Sequence, residues 1–207
     1  MDHKLLEHLF KFNEPNEVYI MMALARKKNN PALKSEEAVS REIVRRPDEF
    51  KYKLNRLVRF VETFEHENAK PQDFNFYITF NPRNSLLAYH NFKNELVELD
   101  KQLMINTTHA RLNKIDKVWF DCLQRPTARK RRQYFNIDVD TLDEDILKET
   151  IRLAKKEDPD PYIQRSRHGW HILIKPGHHK KLIEYIESVG NAIELHRDRF
   201  FYIGKLE

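Results

Sequence analysis

The stretch Tyr134–Asp140 reads Tyr-Phe-Asn-Ile-Asp-Val-Asp, and its reading decides the fold. Side chains of a β-strand alternate in direction. Ile137 and Val139 therefore point one way, and Asp138 and Asp140 the other. The apolar pair belongs to a core. Two carboxylates are left side by side on the opposite face.

The chain downstream supplies the rest of that sheet. TLDEDILKETIRLAKKE reads as a helix with Thr141 as cap and acids in its first turn. YIQRSR is a short strand, and GWHILIK (Gly169–Lys175) is another, joined to it through a tight turn. HHKKLIEYIESV is a helix that stops at Gly190, with His178 and His179 as polar residues of its cap region. NAIEL and RFFYIG follow as strands, with Phe200, Phe201 and Tyr202 as core and cover. The order β-α-β-β-α-β is the split βαβ pattern. In it the first and third strands lie side by side in the middle, the fourth flanks the first, helices cover one face, and the other face is open. Trp170, Ile172 and Ile174 form the inward set of the third strand, and Ile193 and Leu195 that of the fourth. The open face then takes His171, Leu173, Lys175, Glu194 and His196 beside Asp138 and Asp140. Arg165 and Arg167 lie close by, on the second strand or its turn.

Upstream, the first half reads as an α/β module. NEVYIMMALA includes a strand. From Pro47, Leu54, Leu57, Val58, Val61 and Phe64 recur at helical spacing. FNFYITFNPR (Phe74–Arg83) is a second strand closed by Asn81-Pro82, so strand, helix and strand suggest a small crossover unit. A helix follows from Ser85 as N-cap, then another after Thr107 and Thr108. The basic run Arg129, Lys130, Arg131 and Arg132 leads into the opening strand. The division is an N-terminal α/β module with a helical linker region over 1–132 and a βαββαβ core over 133–207, the two forming one domain of α/β (α+β) class.

Composition narrows the class. Of 207 residues, 33% are charged and 40% hydrophobic, which suits a soluble globular protein. No run approaches the roughly 18 apolar residues of a membrane span, and MDHKLLEHLF lacks a signal-peptide layout, so no membrane association is expected and the cytoplasm is the expected location. The single cysteine, Cys122, excludes an internal disulfide and a thiolate zinc cluster, and reads as a buried, inert thiol. A net charge of +5 favours a polyanionic partner.

Asp138, Asp140 and Glu194 converging on one face repel one another unless a cation neutralises them. Carboxylate oxygens are the ligands Mg²⁺ and Mn²⁺ prefer. Two such ions about 3.5–4 Å apart serve phosphoryl and nucleotidyl transfer, with His171 and neighbouring basic residues holding a triphosphate.

These residues resemble the motifs of the archaeo-eukaryotic primase (primase-polymerase) superfamily. The first motif, hydrophobic-Asp-hydrophobic-Asp, is Ile137 to Asp140. The second, small-x-His, is Gly169, Trp170 and His171, preceded by Ser166, Arg167 and His168. The third, a hydrophobic residue followed by an acid, is Ile193 and Glu194, with Asp198 a rival for the acid. The resemblance implies that Asp138, Asp140 and Glu194 bind catalytic Mg²⁺ or Mn²⁺. It also implies that His171 contacts nucleotide phosphate, supported by Ser166, Arg167 and Lys175. It implies a primase or polymerase that extends a 3′-hydroxyl with nucleoside triphosphates on a single-stranded or primed DNA or RNA template. Arg129, Lys130, Arg131 and Arg132 would meet nucleic-acid phosphates. No zinc module or helicase domain accompanies the motifs, so the resemblance points to a separate helicase or replication partner and to a phage or mobile-element setting.

Other readings compete. A non-catalytic RRM-like nucleic-acid module would display aromatics, not acids, on its open face. A degenerate primase would keep the scaffold without the chemistry. A rolling-circle initiator endonuclease would carry a His-hydrophobic-His strand, whereas GWHILIK has one histidine.

Overall fold

The computed structural model describes residues 6–205 except 8, 28–29, 32, 34–36, 65–69, 106–113, 130 and 167–168. The described residues form two antiparallel sheets and five α-helices. No helix among them is long and apolar enough to cross a membrane.

The first sheet is built on β1 (Glu17–Arg26), which is buried along almost its whole length. Its order is β2 (Glu37–Val44), β1, β3 (Asn75–Thr79) and β9 (Phe200–Lys205), with β4 (Arg83–Asn84) also pairing to β1. Tyr19, Met21, Ala23 and Ala25 enter one core with Phe76, Ile78, Phe201 and Ile203, against Phe50, Leu54, Leu57 and Val61 of α1 (Glu49–Thr63). Each large apolar side chain buried there contributes about 1.5–3 kcal/mol. Val18 and Ile20 pack instead with Ala88 of α2 (Ser85–Ile105) and Leu123 of α3 (Ile115–Gln124). Cys122 is a fully buried free thiol, and burial raises its pKa.

The expected crossover unit is corrected here. β1 and β3 run antiparallel, because β2 intervenes and pairs with β1 over Tyr19–Arg26. Glu37, Arg41 and Glu42 interrupt any apolar run in β2 and hide it from a hydrophobicity reading.

The second sheet has the order β6 (Tyr162–Arg165), β7 (Trp170–Ile174), β5 (Phe135–Val139), β8 (Ile193–His196). Its first and third strands are therefore central. Ile137, Val139, Ile172, Ile174 and Ile193 pack under α4 (Glu144–Glu157) and α5 (Lys180–Val189), using Leu153, Ala154, Leu182 and Ile186. The other face is not fully open. Leu173 is completely buried in the core of the first sheet.

The last strand does not stay with its neighbour β8. β9 pairs with β3 and closes the first sheet, so the chain passes between sheets at residues 197–199. Asn81, fully buried, ties that crossing to β5. Its amide donates to the carbonyls of Tyr134 and Arg197, and its oxygen accepts from the backbone N–H of Gln133 and Tyr134.

Two helix caps also differ from expectation. Asn84, not Ser85, caps α2 by accepting from the N–H groups of Leu86 and Leu87. Asp143, not Thr141, caps α4 by accepting from Asp145 and Ile146, while Thr141 accepts from Asp143 N–H. In both, the side chain one residue before the first helical turn reaches the unpaired donors. Thr107 and Thr108 lie outside the described residues.

Candidate functional site

A cleft of about 590 Å³ separates the two sheets. Asn136, Asp138, Asp140, Ser166, His171 and His196 line one wall. Met22, Leu24, Arg26 and Tyr77 of the first sheet, with Phe200 and Tyr202 of β9, line the other.

Asp138 is the centre. Sheet register sets it opposite His171 on one side and Glu194 on the other. Its Oδ1 lies 3.1 Å from His171 Nε2, and its Oδ2 lies 3.8 Å from His196 Nε2. Burial pushes the Asp138 carboxyl up, but the two imidazoles outweigh burial and hold it well below the usual carboxylate range. The 3.1 Å contact is an ion pair when His171 is protonated. Asp138 Oδ1, Asn136 Oδ1 and His171 Nδ1 are all buried without a hydrogen-bond partner. An unmet buried acceptor costs about 1–3 kcal/mol, which a donor brought to Asn136 Oδ1 would recover.

Gly169 allows the strands to meet at this point. A Cβ there would sit 1.7 Å from the Val139 carbonyl oxygen, so β7 could not reach its place beside β5 with any other residue. Ser166, whose N–H donates to Gly169 O, lines the cleft. Asp140 follows the strand end, is exposed, and lines the cleft; its N–H donates to Ala192 O.

The two candidates for a third acid are separated by their neighbours. Asp198 accepts two 2.7 Å hydrogen bonds from Arg83 and lies 3.0 Å from Arg129, so its charge is already compensated. Glu194 is 60% exposed and contacts His196 at 3.3 Å and Arg199 at 3.9 Å. His196 thus stands between Asp138 and Glu194. Among the described residues, no group of three or more His, Cys, Asp or Glu side chains is already gathered as a metal cage.

Other expected site residues fall elsewhere. Lys175 lies beyond the end of β7. Its side chain is 70% exposed and its ammonium lies 3.6 Å from Asp158, so it does not line the cleft. Arg167 and Lys130 lie outside the described residues. Arg129 is held by Asp198, and Arg131 by Glu17 and the Lys11 carbonyl. Arg132 is exposed. Two members of the basic run therefore act as internal counter-charges. Buried His179 bridges the Lys175 carbonyl and Glu157, a structural role.

Asn136 escaped the sequence reading although the alternation that exposes Asp138 also selects it. Tyr77 had no local signal, because its place depends on how the first sheet faces the second; Tyr202, read as core and cover, lines the cleft, and Arg83, a strand-end charge in the sequence, lines it while bound to Asp198. Burial raises the Tyr77 hydroxyl pKa, with Arg26 opposing it and the Asp138 carboxylate across the cleft adding to it.

Compared with known protein families, with curated proteins and with solved structures, the chain finds no match in any of the three.

Proposed function

We propose that this chain is a metal-dependent nucleotidyltransferase of primase-polymerase type, acting on nucleoside triphosphates and a DNA or RNA template. The observation that carries the reading is Asp138, set by the ladder between His171 and Glu194 and facing a cleft that Asp140 also lines, beside Asn136, whose buried Oδ1 has no hydrogen-bond partner among the described residues. The strand order of the second sheet, with helices on one face, supports an RRM-like core. The three motif positions fall on adjacent strands of that sheet, which supports the resemblance to the primase superfamily.

Asp138 and Asp140, with Glu194 at the edge, are the residues suited to hold Mg²⁺ or Mn²⁺. Such an ion, when bound, activates a hydroxyl and neutralises phosphate charge. The protein's own work is positioning. His171 and His196 fix the Asp138 carboxylate from both sides and keep it ionised. Ser166 and His171 border the space where a triphosphate fits. In the reaction the primer 3′-oxygen bonds to the α-phosphorus, the bond from that phosphorus to the β-phosphate oxygen breaks, pyrophosphate leaves, and the hydroxyl proton is released.

Primer extension with labelled nucleotides and Mg²⁺ or Mn²⁺ tests this. Asp138→Ala/Asp140→Ala should fall to background while its circular dichroism matches the wild type. Full extension by that variant refutes the proposal. A second reading, a family member that binds without chemistry, draws on the exposure of Glu194 and the absence of a gathered cage among the described residues. It predicts nucleic-acid binding with no extension under either metal.

A further inference from the structure

Asn136 is a cleft residue that the reaction described above leaves unused. It lies on β5 two positions before Asp138, so both side chains leave the same face of the strand. Asn136 is 2% exposed and lines the cleft, and its Oδ1 has no hydrogen-bond partner among the described residues. Its ladder neighbours do not supply one. Leu173, opposite on β7, carries no side-chain donor and is buried in the core of the first sheet. His196, opposite on β8, turns Nε2 to the carboxylates, 3.3 Å from Glu194 and 3.8 Å from Asp138. An apolar residue beside Leu173 would fill this place without a buried acceptor left unmet. The amide therefore calls for a ligand that donates.

The class of donor follows from position and from the reaction. Phosphate oxygens accept, so they do not satisfy Oδ1. Alternate residues of a strand stand about 7 Å apart. Asp140 is on the far side of Asp138, so a cation held between the two aspartates lies away from Asn136. A template-directed enzyme takes every base in turn, so a fixed acceptor must read a group common to all nucleotides. The sugar hydroxyls are such groups, and they lie a few bonds from the α-phosphate. The 2′-hydroxyl is one carbon farther from that phosphate than the 3′-hydroxyl, which suits the step from Asp138 to Asn136. Oδ1 has no partner to surrender, and the terminal torsion of asparagine is soft, so the amide can turn to meet a donor entering the cleft.

We propose that Asn136 accepts a hydrogen bond from the ribose 2′-hydroxyl of the incoming nucleotide, which makes ribonucleoside triphosphates the preferred substrates. The inference rests on the nucleotidyl-transfer reading for the placement of the triphosphate at Asp138 and Asp140. A deoxynucleotide leaves Oδ1 buried and unmet, and a site built to hold a hydroxyl discriminates against the analogue that lacks it.

The test is isothermal titration of the full chain with ATP, 2′-deoxy-ATP and 3′-deoxy-ATP in Mg²⁺, without primer or template, so that binding is read apart from chemistry. The wild type should bind ATP about tenfold or more tighter than 2′-deoxy-ATP, and 3′-deoxy-ATP should bind like ATP. Asn136→Leu removes the acceptor at similar volume. It should bring ATP down to the affinity of 2′-deoxy-ATP and leave 2′-deoxy-ATP unchanged. Its thermal midpoint should stay at or above that of the wild type, because no buried acceptor is left unmet. Asn136→Ala, which adds no volume, should erase the same preference and serves if leucine disturbs the sheet. A merely structural asparagine would lower the midpoint when replaced and leave the ATP preference in place. Equal binding of ATP and 2′-deoxy-ATP by the wild type, a loss on removing the 3′-hydroxyl instead, a preference that survives both substitutions, or no binding of any of the three overturns the proposal. An Asn136-dependent preference for ATP with no primer extension under either metal would sink the nucleotidyl-transfer reading alone. Extension that uses ribonucleotides and deoxynucleotides equally would sink this one alone.

Discussion

Asp198→Ala should be among the most destabilising single changes at the edge of the cleft. The Arg83 side chain is 3% exposed, that of Asp198 13% and that of Arg129 15%. Removing the carboxylate leaves two guanidinium groups buried near each other with their shared counter-charge gone. Breaking a buried pair from one side costs about 3–5 kcal/mol. At about 2–4 °C per kcal/mol for a chain of this size, the thermal midpoint should fall by about 6–20 °C. Arg129→Met removes one contact and leaves the two-pronged Arg83 pair intact, so it should cost only about 1 kcal/mol. Arg83→Met/Asp198→Leu replaces the buried charges with apolar volume and leaves Arg129 able to turn to water. That double variant should be more stable than Asp198→Ala alone. Urea and thermal melts followed by circular dichroism measure all three. The reasoning fails if Asp198→Ala costs no more than Arg129→Met, or if the double variant is the least stable. The series also bears on chemistry. If Asp198 were a metal ligand instead of a clamp, Asp198→Asn would abolish extension without moving the midpoint.

Gly169→Ala should destabilise by about 1–3 kcal/mol or more, because its Cβ meets the Val139 carbonyl at 1.7 Å and must open the end of the β5–β7 ladder; a thermal midpoint equal to the wild type would show that the turn yields freely. Acid should weaken the fold through Glu17, which is buried and paired with Arg131. Burial pushes its carboxyl up, but the Arg131 guanidinium and the Asn13 N–H outweigh this and leave it lowered. Its contribution is therefore complete above the unfolded value of about 4.3 and is lost as pH falls through the lower folded value. Glu17→Gln should flatten the acid side of a plot of urea midpoint against pH, and an unaltered acid limb would exclude this source.

The legible part of the chain is the part whose pattern is local. From residue 135 onward, period-two alternation separates Ile137 and Val139 from Asp138 and Asp140, and the helices between strands have clear apolar faces. The strand order follows from connectivity. The first half resisted because β1 is buried on both faces and carries no alternation, while Glu37, Arg41 and Glu42 break up the apolar residues of β2. Caps slipped by one or two residues because Asn84 and Ser85, and Thr141 and Asp143, all carry side chains able to cap. Only the geometry shows which one reaches the free N–H groups.

The opposite wall of the site could not be read locally at all. Nothing in Phe200–Lys205 says that it leaves β8 and joins β3, yet that choice brings Tyr202 to the cleft and sets Asp198 at the crossing. A charge count makes the same point. Asp198 reads in the sequence as a rival to Glu194, and Arg129 and Arg131 read as free cations. In the fold these acids and bases largely cancel one another, with Arg83 and Glu17 as the partners. Facing the cleft are Asp138, met by two imidazoles and no guanidinium among the described residues, and Asp140 at the strand end. A site for an anionic ligand bridged by cations needs carboxylates that internal guanidinium groups have not already taken, and Asp138 and Asp140 meet that requirement where Asp198 does not.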